Sequence, residues 1–269
     1  MIRTARRARG RAAATLLAAA LVVVAAACSS DDGGDGRPSG SPSPSPSPSA
    51  VALVGVGCPS DVEGGTQVRF GDDDYLAGVV MGSGTTGVVL AHEYESDACN
   101  WLPYAKTLAQ KGYTTLVFDF AGYGASDLAN GTQSTVADVE AAAAYLRAHG
   151  AKKTVLMGAS MGGNGVLAAT KDVHPAAVVS LSAPRTFNGV SVDGADVTAP
   201  VLYVAGKYDS GGSFAADARS MASATPKGRK TLAVLDAGEH GTALLRRPSA
   251  ETVEHDITTL LGKYAPAAS

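Results

Sequence analysis

The sequence predicts an α/β domain built on a mostly parallel, doubly wound sheet of about eight strands. From residue 52 onward, short continuous apolar runs alternate with amphipathic segments. That alternation is typical of parallel strands that helices cover on both faces. About 215 residues are enough for one domain of this type. We therefore divide the chain into a leader at 1–27, a polar tether at 28–51 and one domain at 52–269.

The leader has the pattern of an export signal. Five arginines precede an apolar run at 12–27, which ends in three alanines before Cys28. A basic start, a short apolar region and small closing residues are typical of a signal peptide, and the run is short for a membrane span. The stretch VAAAC resembles the lipobox of bacterial lipoproteins, with Ala25 where leucine is usual. That resemblance implies that Cys28 carries lipid; ordinary secretion and a retained N-terminal anchor are the alternatives.

The tether is rich in Ser, Pro, Gly and Asp and contains a Ser-Pro repeat, which favours an extended chain. Fully extended, it would hold a domain on the order of 60–90 Å from a membrane. All five leader arginines precede Cys28, so the rest of the chain carries 17 basic and 25 acidic residues, a net charge of −8. This balance argues against a nucleic-acid partner.

The elements of the domain follow in a regular order. A hairpin is predicted from 68–70 and 75–81, and we interpret its Asp-rich turn at 71–74 as solvated rather than as a calcium loop. Buried strands are predicted at 87–92, 114–120, 153–159, 176–183, 199–206 and 230–237. Helices are predicted at 101–112, 134–150, 213–224 and 249–264, and a further helical stretch follows residue 160.

The sharpest motif is GASMG at 158–162, a G-x-S-x-G between a strand and a helical stretch. In this context the serine sits on a strained turn, and a side chain at either glycine would collide with neighbouring backbone. The helix that follows directs its N-terminus at developing negative charge. Ser160 is therefore the candidate nucleophile; a glycine-rich turn without chemistry is the alternative.

A serine hydroxyl needs a general base, and that base needs an acid to orient it. Where the serine of a G-x-S-x-G turn is the nucleophile, the acid and then the histidine follow it in the chain. This order selects Asp209, just beyond the strand at 199–206, and His240, in the loop after the next strand. Asp236 competes as the acid but lies too close in sequence to His240. The other histidines are assigned to the surface (His149, His174, His255) or to a structural role near the site (His92).

Together these motifs resemble the α/β-hydrolase superfamily, in particular its small, lidless, dienelactone-hydrolase-like and esterase-like members. The matching segments are HEY at 92–94, DFAGYGASD at 119–127, GASMGG, GKYDS and GEHG. The resemblance implies ester hydrolysis through an acyl-enzyme, with the amides of Met161 and Tyr94 as the oxyanion hole. Glu93 stands where many members have glycine, and we expect its side chain to point away from the oxyanion.

Spacing adds two expectations. Only about 15 residues, 184–198, separate two strands where many lipases insert a lid, so we expect an open site that accepts small-molecule or polymeric esters. With Cys28 assigned to lipid, Cys58 and Cys99 remain, and an exported protein favours their pairing over two free thiols. No residues have the spacing of a metal site, and we expect no metal and no cofactor.

The sequence therefore predicts a monomeric serine hydrolase of the carboxylesterase type, EC 3.1.1, lipid-anchored outside the cytoplasm of a bacterium or secreted. Two alternatives stay open. The same residues could cleave amide, peptide or thioester bonds, or the chain could be a catalytically silent binding lipoprotein of the same fold.

Overall fold

The computed structural model describes residues 53–128, 132–246 and 248–267. The predicted leader, the tether and Cys28 lie outside these residues. In the described ranges, no helix has the length and apolar character that crossing a membrane requires.

The central feature is an eight-stranded sheet with the order β1-β2-β4-β3-β5-β6-β9-β10. Its strands are β1 Thr66–Phe70, β2 Leu76–Met81, β3 Thr86–Ala91, β4 Thr114–Asp119, β5 Lys153–Ala159, β6 Ala177–Leu181, β9 Val201–Gly206 and β10 Lys230–Leu235. Strand β2 runs antiparallel to both β1 and β4, and the remaining neighbours pair in parallel. The predicted mostly parallel sheet, its strand number and its N-terminal hairpin are confirmed.

Helices cover both faces of the sheet. They are α1 Leu102–Gln110, α2 Thr135–Ala148, α3 Met161–Ala168, α4 Thr170–Val173, α5 Ser213–Ala224 and α6 Ala250–Tyr264. Helices α1 and α6 pack on one face, while α2, α3 and α5 pack on the other. In β3, Val88 and Leu90 face the first layer, whereas Val89 and Ala91 face the second. Both sides of the central strands are apolar because both are buried.

Several element boundaries differ from the prediction. The runs at 87–92, 114–120 and 176–183 stay buried for one or two residues after the strand itself has ended. The backbone there turns into loops while the side chains still pack. The helical stretch after residue 160 is divided into α3 and α4, and 186–191 forms an unpredicted hairpin from β7 Thr186–Phe187 and β8 Val190–Ser191.

Strand β10 departs most from its predicted environment. The run at 230–237 is predicted to be covered on both faces, but every residue of β10 is partly or fully exposed, and β10 is the edge of the sheet, where it pairs with β9. Leu232, in its middle, is 39% exposed. An apolar run indicates burial but does not say whether a second neighbour is present.

A disulfide joins Cys58 to Cys99, with 5.9 Å between their Cα atoms. It confirms the pairing expected from the sequence. Cys99 lies in the short turn Ala98–Asn100, directly before Trp101 and α1. The bond therefore attaches the N-terminal part of the domain to the loop that follows β3.

Candidate active site

Ser160 occupies a strained turn between β5 and α3. Its φ of 49° and ψ of −113° lie outside the regions that L-residues favour, at a cost of about 1–3 kcal/mol. The conformation is held by its backbone amide, which donates to the carbonyl of Leu181 at 2.8 Å. Ser160 is 8% exposed. The turn has the geometry that the G-x-S-x-G motif predicts.

The two motif glycines are required by close backbone contacts. A Cβ at Gly158 would lie 2.2 Å from the carbonyl oxygen of Gly162, and one at Gly162 would lie 2.3 Å from that of Ala91. Neither neighbour is a flexible side chain that could move aside. The predicted steric reason for glycine at both positions is confirmed.

Asp209 and His240 form a hydrogen-bonded pair. Asp209 lies in a short turn after β9 and is 2% exposed. Its Oδ2 atom lies 2.8 Å from His240 Nδ1, and its Oδ1 accepts from the Ser210 hydroxyl at 3.3 Å. A carboxylate can only accept, so the shared proton resides on Nδ1, and in the neutral ring Nε2 then carries the lone pair. This is the tautomer that a general base requires.

The loop of His240 lies beside the turn that carries Ser160. A Cβ on Gly241 would be 3.4 Å from the Cβ of Ala159. Among the hydrogen bonds of the described residues, none joins Ser160 Oγ to His240. Such contacts are often long without substrate and shorten when it binds.

Two contacts that the sequence analysis missed also hold this loop. The Gly241 amide donates to Ser182 Oγ at 3.1 Å, and the ring of Phe214 lies 4.5 Å from that of His240. Ser182 follows β6 at the edge where parallel strands end, which is where binding sites of open α/β sheets form. That position could have identified Ser182; nothing in the sequence pairs Phe214 with His240.

The proposed oxyanion donors, Met161 and Tyr94, lie on two segments that one backbone hydrogen bond joins. Gly162 N donates to His92 O at 3.1 Å, which joins the loop after β3 to the start of α3. Within the ranges that the structure describes, the amides of Met161 and Tyr94 make no hydrogen bond to another group. Neither amide is therefore committed to a partner among these residues. The Tyr94 side chain is 50% exposed.

His92 is buried and bonded on both ring nitrogens. Nδ1 donates to the Glu93 carbonyl at 2.7 Å, and Nε2 accepts from the Phe120 amide at 3.0 Å. Burial lowers the pKa of the imidazole to about 4. The ring is neutral near pH 7, and the predicted bonding of His92 to backbone near the site is confirmed.

The Glu93 side chain binds the loop of His240. Its Oε1 accepts from Thr242 Oγ1 at 2.6 Å, from Thr242 N at 3.3 Å and from Asn100 Nδ2 at 3.3 Å. Glu93 is an unusual residue at this place in the sequence, but the sequence does not predict these partners. The sign of these contacts in the sequence is limited to a carboxylate at a position where glycine is expected.

The competing residues lie elsewhere. Asp236 is exposed and pairs with Lys207 Nζ at 3.5 Å, so it is not the acid that binds His240. The remaining histidines are exposed: His149, His174 and His255. In the part of the chain that the structure describes, no group of three or more His, Cys, Asp or Glu side chains is arranged to hold a metal ion.

The segment at 184–198 is short and forms no helical lid. It contains the β7–β8 hairpin and one turn, Gly194–Asp196. Asn164 of α3 fixes it by donating to the carbonyls of Pro184 at 3.1 Å and Val190 at 3.4 Å. A cavity of about 90 Å³ lies between this hairpin and Met161. The space is small.

Comparisons with known proteins agree with this architecture. The family described as serine aminopeptidase, S33, matches residues 85–192, which include Tyr94 and Ser160 but neither Asp209 nor His240. The search of curated proteins finds no match to the sequence.

Solved structures with a similar fold include an esterase of Pyrococcus furiosus, which has a TM-score of 0.65 and 17% identity over 79% of this chain and 95% of its own. A lidless α/β serine hydrolase of Xanthomonas campestris has a TM-score of 0.60 and 17% identity over 77% and 98% of the two chains. A monoacylglycerol lipase of Paleococcus ferrophilus has a TM-score of 0.57 and 18% identity over 70% and 98%. At these identities the likeness shows the fold alone.

Proposed function

Because the chain has the α/β-hydrolase fold, we propose that it is a serine hydrolase that cleaves carboxylic esters through an acyl-enzyme. One observation carries the proposal: a strained serine at the end of β5 lies beside a loop whose histidine is already bonded to a buried aspartate. Ser160, His240 and Asp209 are the nucleophile, the base and the orienting acid.

In the first half-reaction, Ser160 Oγ attacks the acyl carbon of the ester while Nε2 of His240 takes the hydroxyl proton. The amides of Met161 and Tyr94 donate to the oxyanion, a type of contact whose loss costs about 10²–10³-fold in kcat. Collapse of the tetrahedral intermediate breaks the bond to the alcohol, which leaves with the proton from Nε2. Water then repeats the sequence on the acyl-enzyme and releases the acid.

Asp209 does not take the proton. Its buried carboxylate keeps Nδ1–H in place and stabilises the imidazolium that forms during each step. The short segment at 184–198 suits substrates whose acyl group can approach from solvent, including esters within a polymer.

A second candidate activity is cleavage of amide, peptide or thioester bonds by the same residues. The match to the serine aminopeptidase family favours it, whereas the names of the similar structures favour esters. A series of p-nitrophenyl esters compared with aminoacyl p-nitroanilides separates the two. We expect the larger kcat/KM on short esters; the reverse order would assign the chain to peptide bonds.

A fluorophosphonate probe tests the enzyme itself. We expect one covalent label, on Ser160 after peptide mapping, and none on the variant Ser160→Ala. A folded protein that takes no label would overturn both enzymatic candidates and leave the silent binding protein.

We further propose that the enzyme is exported and held outside the bacterial cell membrane by lipid on Cys28. The lipobox-like stretch at 24–28 and a disulfide, which persists in oxidising compartments, support this. Mass spectrometry of the mature N-terminus tests it. An unmodified terminus at another residue would refute lipidation.

A further inference from the structure

We propose that Glu93 is a positioning residue that joins the oxyanion loop to the loop of His240. The inference rests on the proposed function, since it concerns the geometry of that active site. Glu93 directly precedes Tyr94, the proposed oxyanion donor, and it binds Thr242, two residues after the proposed base. One side chain therefore connects the two halves of the site, although they are 149 residues apart in the chain.

The contact is a strong one for its kind. A hydroxyl that donates to a carboxylate at 2.6 Å is in the range of charge-assisted hydrogen bonds, which are about twice as strong as neutral ones. The Thr242 amide and Asn100 Nδ2 donate to the same oxygen, both at 3.3 Å. Thr242 is 3% exposed, so water competes little for these bonds.

Glu93 also limits the residue next to His240. Gly241 has a φ of +55°, and a Cβ there would lie 3.1 Å from Glu93 Oε1. The carboxylate thus lies against the backbone of the base's neighbour. The backbone amide of the same glycine donates to Ser182 Oγ at 3.1 Å. The loop is bonded to both Ser182 and Glu93, and among the described residues Glu93 makes the hydrogen bonds that join it to the oxyanion loop.

The second carboxylate oxygen makes the arrangement costly. Glu93 Oε2 is buried and has no hydrogen-bond partner among the described residues. A buried unpartnered polar atom is unfavourable, so a stabilising tether would be better made by a residue without it. We interpret this unfavourable burial as the consequence of holding a fixed distance between His240, the proposed base, and Tyr94, the proposed oxyanion donor. Small displacements of such groups have large effects on rate, about 10²-fold for 1 Å.

The experiment compares four variants with the wild type on a short p-nitrophenyl ester. For Glu93→Ala and Thr242→Val we expect kcat to fall by about 10²-fold with KM within about twofold. Glu93→Gln, which keeps an accepting oxygen, should recover part of that loss. Glu95→Gln, an exposed carboxylate in the same loop, is the matched control and should leave kcat unchanged.

A double variant and a melting curve separate positioning from simple stabilisation. If the two residues act through one contact, Glu93→Ala/Thr242→Val will be no slower than either single variant. Multiplied losses in the double variant would overturn the proposal. So would single variants that melt at a lower temperature yet keep the wild-type kcat at 25 °C.

Failure of this inference differs from failure of the proposed function. If the chain is not a serine hydrolase, the wild type itself takes no fluorophosphonate and turns over no ester. If Glu93 has no positioning role, the wild type is active and the Glu93 and Thr242 variants match it. If Glu93→Ala does not fold, Glu93→Gln and Thr242→Val decide the question.

Discussion

Nδ1 of His240 lies 2.8 Å from Oδ2 of Asp209, a carboxylate 31 residues earlier in the chain that is almost fully buried. The pair sets the tautomer of the neutral ring, and Nε2 on the other side of the ring makes no hydrogen bond with the described residues. The contact also distinguishes Asp209 from Asp236 as the partner of the histidine. Asp236 follows β10 only four residues before His240, but it is exposed and bound to Lys207.

The pair predicts different outcomes for the two aspartates. Asp209→Asn should lower kcat on a p-nitrophenyl ester by about 10⁴-fold, because an amide in this place can hold the wrong tautomer. Asp236→Asn should stay within about twofold of the wild type. Equal effects of the two substitutions, in proteins whose circular dichroism is unchanged, would contradict the assignment of the acid.

The steric role of the elbow glycines predicts opposite effects of two Gly→Ala changes. Gly162→Ala places a Cβ against backbone of the β3 loop and should lower the free energy of unfolding by about 3 kcal/mol. Gly262→Ala, in α6 where a Cβ meets nothing within 4 Å, should raise it by about 0.5–1 kcal/mol. Urea denaturation measures both. A Gly162→Ala protein as stable as the wild type would disprove the close contact.

Buried His92 predicts a dependence of stability on pH. The pKa of its ring is about 4 in the folded chain, against an ordinary 6.5, so the folded state binds fewer protons between these values. The free energy of unfolding should therefore fall as pH drops from about 6.5 to 4, by about 3 kcal/mol from this group.

The comparison for His92 is the variant His92→Gln. We expect the variant to be less stable at neutral pH and its stability to change less across the same range. Burial raises the pKa of Asp119 and Asp138, so their contribution to the free energy of unfolding rises as pH falls, opposite to that of His92. Both aspartates are present in the wild type and in the variant, so this contribution cancels in the comparison. Parallel curves for the two proteins would mean that His92 takes up a proton in the folded state.

The disulfide predicts a large loss of stability on reduction. It spans 41 residues, and closing a loop of that length in the unfolded chain is worth roughly 4 kcal/mol. Cys58→Ser/Cys99→Ser should show this difference in urea, and dithiothreitol should move the wild type to the same midpoint. A reductant that leaves the wild-type midpoint in place, with the thiols shown to be free, would rule out a stabilising bond.

Much of the fold and of the candidate site is local in the sequence, and that part could be predicted. The strands were found because parallel strands are buried on both faces and read as continuous apolar runs. GASMG identified Ser160 because two glycines and one strained serine must be adjacent in the chain. The order of elements then predicted that Asp209 and His240 follow two neighbouring strands, and the structure has them after β9 and β10.

Other features depend on contacts between distant segments. The edge position of β10 follows from strand pairing, which its apolar pattern does not encode. The β7–β8 hairpin is fixed by Asn164 of α3, so its own residues give little sign of it. The partners of Glu93 were missed because a lone carboxylate in a loop has many possible neighbours.

The sequence by itself determined the fold class and the strained serine turn, because each depends on local pattern, and it favoured the pairing of the two cysteines of the domain, which the structure then showed. Only the tertiary structure decided that Glu93 binds Thr242 and that Ser182 and Phe214 hold the loop of His240. Those contacts form where the carboxyl ends of parallel strands meet. The packing of the whole sheet brings these strand ends together, so no single segment of the chain predicts the contacts.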